Sequence, residues 1–197
     1  MPAAPKHRAA IIQAAVSLFR RNGYAATGLA EITARSGAPK GSLYHYFPAG
    51  KAEIGETAVR VAGETVRRTL ADIDAASPDA GALIRAYAGR LTGWVAQSGW
   101  RDGCPITTTL LETAADEPAI RAAGQLAISG WVDVLGEALM RDGVAADRAR
   151  TLARVAICAI EGALVLARVD QDAGAILAVG EEMGALFMQE ATSPGRR

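Results

Sequence analysis

Lys40, Ser42, Tyr44, His45 and Lys51 fall within one run of twelve residues, and the chemistry they share is the binding of phosphate oxygen. Lys40 at the start of a short helix adds a cation to the partial positive charge of the helix N-terminus, and both favour a phosphate there. The Ser42 hydroxyl can donate to a phosphate or reach a base edge. Tyr44 and His45 offer a phenol and an imidazole, side chains that anchor to a nucleic-acid backbone more often than they read bases. Lys51 is a point charge suited to clamping a phosphate. Arg35 lies five residues before this run, and Gly28 and Gly41 stand at the starts of two short helices. Thr27 is placed to cap the first of them and to present its flanking N–H groups to phosphate. From Ile32 to Ala52 there is no Asp or Glu, in a chain where 21 of 197 residues are acidic.

The overall balance of 21 basic and 21 acidic residues conceals an asymmetry. Met1 to Lys51 carries seven basic residues against Glu31 alone, a net charge of +6, which leaves −6 for the remainder. A basic end on an acidic body indicates a polyanionic partner for that end and argues against general stickiness.

The elements that must position these groups are helices. Hydrophobic residues make up 50% of the chain and aromatics only 5%, and 43 residues are alanine, which favours an all-α fold. Ile12, Ala15, Val16 and Phe19 repeat at helical spacing from Lys6 to about Asn22, and Gly23 stands where a left-handed cap belongs. A second short helix is expected from about Gly28 to Ser36, ended by Gly37. A third has Pro39 in its first turn and closes at Phe47-Pro48. Two short helices joined by a glycine-containing turn make a helix-turn-helix. Leu43 and Phe47 are core residues of so small a module. From Lys51 the helices are long, broken at Ser77-Pro78-Asp79, at Ser98 to Pro105, at Asp116-Glu117-Pro118 and at Asp142-Gly143. Asp147 is expected to cap the helix that runs through Arg168, a last helix spans about Ala173 to Glu190, and Ser193 to Arg197 is expected to fray.

Gly23-Tyr24, Thr27, Leu29-Ala30-Glu31-Ile32, Gly37, the run Lys40-Gly41-Ser42-Leu43-Tyr44-His45-Tyr46-Phe47 and Lys51 together resemble the DNA-binding domain of the TetR family of transcriptional regulators, over roughly residues 8 to 55. Ala38-Pro39 departs from the family pattern, which often has a hydroxylated residue before the lysine. The resemblance implies an all-α homodimer whose third helix enters the major groove of double-stranded operator DNA, with a helical bundle for ligand binding and dimerisation behind it. Domain boundaries follow as 1–51 and 52–197. Gly103-Cys104-Pro105-Ile106 and Glu161-Gly162-Ala163-Leu164 are similar to the LmrA and YxaF branch of that family, which implies a small planar or amphipathic effector.

In the body, Trp94 and Trp131 are candidates to wall an effector pocket, with Cys104, Thr107, Thr108, Leu111 and Glu161 as neighbours. Ile176, Gly180, Met183, Gly184 and Phe187 form a stripe on the last helix that would admit a close partner helix, and they are the candidate dimer surface. Other function classes are constrained. No apolar run approaches the roughly 20 residues that span a bilayer, so no membrane role is expected and a cytoplasmic protein is. Two cysteines and two histidines far apart make no zinc site, and no cofactor is implied. Two rivals remain: an all-helical enzyme using Cys104, for which no base stands nearby, and a helical module that binds another protein through its basic end.

Overall fold

The computed structural model describes residues 5–39 and 41–192, and every regular element among them is a helix. The order is α1 (Pro5–Asn22), α2 (Leu29–Ser36), α3 (Ser42–Tyr46), α4 (Lys51–Ala76), α5 (Ala80–Gln97), α6 (Pro105–Thr113), α7 (Pro118–Arg141), α8 (Ala146–Asp170) and α9 (Gly174–Thr192). Lys40 and the tail from Ser193 lie outside the described residues. No helix among the described residues is long and apolar enough to cross a membrane.

The chain forms two compact units. The first takes in α1 to α3, α4 as far as Glu64, and Cys104–Ala127; the second takes in Thr65–Gly103 and the chain from Ile128 onward. The sequence places a boundary at residue 51, but the unit holding the basic end also contains α6 and the beginnings of α4 and α7. Its core is the helical stripe of α1, Ile11, Ile12, Ala15, Leu18 and Phe19, closed by Ile32 of α2, Leu43 of α3, Phe47, and Ile54 and Ala58 of α4. Leu43 and Phe47 are buried as expected.

In the second unit α5 packs on α9, and small residues set their separation. A Cβ at Gly180 would lie 2.6 Å from the Ala88 Cβ, and one at Gly81 would lie 2.9 Å from the Gly184 carbonyl. Asp79 caps α5 by accepting from the Ala82 N–H at 2.7 Å, and Asp142 accepts from the Ala80 N–H at 2.7 Å.

Two local expectations are corrected. Helix α3 starts at Ser42 and not at Pro39: the Pro39 carbonyl accepts from the Ser42 N–H at 2.8 Å, a turn that precedes the helix, and Gly41 is its N-cap. Asp147 sits in the first turn of α8, where its charge complements the helix dipole, and the N-cap is Ala145, with no side-chain cap.

Candidate functional site

The turn between α1 and α2 is built from left-handed backbone and from hydrogen bonds to it. Gly23 ends α1 at φ 86°, and its N–H donates to the Phe19 carbonyl at 3.0 Å. The Thr27 hydroxyl donates back to the Gly23 carbonyl at 2.7 Å, and its side chain is fully buried. Thr27 is therefore a tie within the turn, and the N-cap of α2 is Gly28, which is exposed and makes no side-chain cap bond. At the other end of α2, Gly37 adopts φ 64° and its N–H donates to the Ala34 carbonyl, turning the chain toward α3.

Leu43 and Phe47 point α3 into the core, and this orientation leaves Tyr44 and His45 on the surface, Tyr44 with 62% exposure. The His45 ring meets Tyr46 edge-on at 5.1 Å. Gly41 is exposed, whereas Ser42 is 9% exposed, so its hydroxyl has little direct access to a groove. Arg35 is exposed and donates to the Ser17 hydroxyl of α1 at 3.0 Å, which holds the guanidinium beside α1.

Lys51 is half-buried, and its ammonium is engaged within the fold. Its ammonium donates to the Ala25 carbonyl at 3.2 Å and lies 4.5 Å from the centre of the Tyr24 ring. Burial lowers its pKa from the usual lysine value, and the nearby Glu112 carboxylate partly opposes that. The Tyr24 phenol is pushed up by burial and then by Glu117. Sequence reasoning missed Tyr24 as a support and missed Glu112 altogether. The Glu112 carboxylate, from α6, accepts the Ala25 N–H, 87 positions away in the chain, and spacing carries no signal for such a contact.

The candidate pocket residues divide between the two units. Cys104, Thr107, Thr108 and Leu111 belong to the first: Cys104 is the N-cap of α6, Thr107 is half-buried, and the Thr108 hydroxyl lies within hydrogen-bonding distance of the Cys104 carbonyl (2.8 Å) and of the Phe19 carbonyl (3.2 Å). Leu111 is 82% exposed. Trp94, Trp131 and Glu161 belong to the second. Trp131 is buried and Glu161 half-buried. Trp94 walls a cleft of about 480 Å³ along α5 and the end of α4, with Ile73, Gly89, Arg90, Gly93 and Gln97.

The stripe proposed for a partner helix is corrected. Ile176, Gly180, Met183, Gly184 and Phe187 are all buried within the chain. Gly180 and Gly184 face Ala88 and Arg85 of the chain's own α5. The large apolar residues that α8 and α9 leave exposed are Val155, Val165, Leu166, Val169, Leu177 and Met188.

Residues 11–57 match the family model for bacterial regulatory proteins of the tetR family, and residues 80–182 match that for the LmrA/YxaF-like transcriptional regulator C-terminal domain. The chain belongs to the TetR family. Among its TetR-family relatives, the HTH-type transcriptional regulator LmrA of Bacillus subtilis is 35% identical, over 81% of this chain and 85% of that one. YxaF of the same organism is 31% identical over 93% and 96%. The crystal structure of a TetR transcriptional regulator from Legionella pneumophila superposes with a TM-score of 0.82 at 19% identity, covering 94% of this chain and 99% of that one, which is a likeness of fold. This TetR-family chain is thus a DNA-binding transcriptional regulator and not an enzyme, and the Cys104 reading falls away.

Proposed function

We propose that the protein is a repressor that binds a palindromic operator as a homodimer in the cytoplasm and is released by a small amphipathic or aromatic effector. One observation carries this reading: α3 turns Leu43 inward and Tyr44 and His45 outward, in a stretch from Ile32 to Ala52 that has no acidic residue. The DNA surface is made of Gly28, Gly41, Tyr44, His45 and Arg35, joined by Lys40 on sequence grounds. Ser42 supports α3 from a nearly buried position.

Dimerisation is assigned to the outward faces of α8 and α9, where Val155, Val165, Leu166 and Val169 recur at helical spacing and Leu177 adds to them. Apolar surface of that extent on a soluble regulator marks an interface, and a two-fold contact is the closed solution. The effector is assigned to the Trp94 cleft, whose indole supplies a stacking face and whose Arg90 supplies a positive charge, so a planar aromatic anion fits its chemistry. Selection of duplexes from a random pool tests the reading. Enrichment of one palindrome, bound by two protomers and released by such a compound, is the expected result; binding of all duplexes alike would overturn it.

A further inference from the structure

The backbone of the α1–α2 turn is held by two opposite charges that come from outside it. The Ala25 carbonyl accepts from the Lys51 ammonium of α4, and the Ala25 N–H donates to the Glu112 carboxylate of α6. A single peptide position is thus gripped at both of its polar groups. Around it the turn is closed by its own hydrogen bonds: the Thr27 N–H donates to the Tyr24 carbonyl at 3.1 Å, and the Thr27 hydroxyl to the Gly23 carbonyl. Gly23 is fitted to the same carboxylate, since a Cβ there would run into Glu112 Oε1. Thr108, one turn before Glu112 on α6, has its hydroxyl 3.2 Å from the Phe19 carbonyl at the end of α1. All of these residues lie in the first unit.

Glu112 also stands out by charge. It is an exposed carboxylate held against the most basic part of the protein, where electrostatics alone would have it weaken the attraction of a polyanion. Exposed acid in that place costs DNA affinity unless it contributes geometry. We propose that Glu112 is a positioning residue for DNA reading: by holding the Ala25 N–H it seats the α1–α2 turn, and through the turn it fixes how α2 and α3 are presented to a sequence.

The inference rests on the operator reading above, and selection of a palindrome by the wild-type chain is the control that separates the two. Glu112→Ala and Glu112→Gln are compared with wild type on the pool-selected palindrome and on a random duplex. Loss of a charged acceptor from a backbone N–H is expected to weaken palindrome binding about tenfold in Glu112→Ala, while random-duplex binding stays the same or tightens because a negative charge has gone. Glu112→Gln keeps an acceptor oxygen and recovers most of the palindrome affinity, and amide exchange at Ala25 quickens in the alanine variant only. Palindrome binding by Glu112→Ala that equals or exceeds wild type overturns the proposal. So does a loss on both duplexes alike, as a poorly folded variant would give, or a glutamine variant no better than the alanine one.

Discussion

Replacing Gly180 with alanine measures how closely α9 lies on α5. The added Cβ would sit 2.6 Å from the Ala88 Cβ, well inside ordinary carbon contact, and Ala88 has no side-chain torsion by which to withdraw. The two helices must therefore part, and overpacking of this kind costs about 1–3 kcal/mol. Against it stands the helix preference of alanine over glycine, about 1 kcal/mol in the opposite sense. Gly89→Ala, on the exposed side of α5 where nothing lies within 4 Å, collects the second effect without the first. The Gly180 variant should thus be less stable than the Gly89 variant by about 1–3 kcal/mol. The assay is urea unfolding at one fixed protein concentration, because association would shift the midpoint. Equal midpoints for the two variants would refute the packing. Gly184→Ala should fall between them, since its new Cβ would meet the Arg85 side chain, which can move.

Val165→Lys should lower the sedimenting mass from dimer to monomer, and an unchanged mass would place the interface off α8. Arg90→Ala should abolish quenching of Trp94 fluorescence by planar aromatic carboxylates while leaving duplex binding intact; quenching that persists would put the effector elsewhere. Above the ordinary tyrosine pKa of 10.0, an unfolded Tyr24 ionises while the folded one, held up by burial, keeps its proton. The native state then binds more protons, so its stability falls as pH climbs from there through the folded value. Tyr24→Phe should remove from the tyrosinate absorbance titration a component that ionises above the ordinary tyrosine value, and a titration unchanged by the substitution would count against that.

What the sequence discloses follows from which forces are local. The α1 stripe of Ile12, Ala15 and Phe19 is legible because one face of one helix writes its own period, and Gly23 and Gly37 are legible because positive φ favours glycine wherever it occurs. The start of α3 is misread by three residues because proline suits both a first helical turn and the turn before it. The stripe on α9 is legible as a surface of close approach, but nothing in its spacing tells whether the approaching helix is α5 of the same chain or a helix of another. Thr27 is a good cap by type, yet its hydroxyl is spent on Gly23, a choice made by the fold of the turn. Glu112 lay beyond any local pattern.

Lys51 separates a residue that touches phosphate from one that holds the reading head. Its position after Phe47-Pro48 and its charge suit a phosphate clamp, whereas its ammonium is bonded to the Ala25 carbonyl and stacked over Tyr24. The two roles differ in salt dependence. A lysine that neutralises a phosphate releases counterions, and each such contact adds about 0.9 to the slope of log affinity against log salt. A lysine that supports the turn changes affinity at every salt concentration and leaves the slope alone. Lys51→Met keeps the stem over Tyr24 and removes the charge, so palindrome affinity should fall with the slope unchanged. Random-duplex affinity should be nearly unaffected. A slope shallower by about 0.9 per protomer, with equal losses on both duplexes, would return Lys51 to the phosphate and require its ammonium to leave Ala25 when DNA binds.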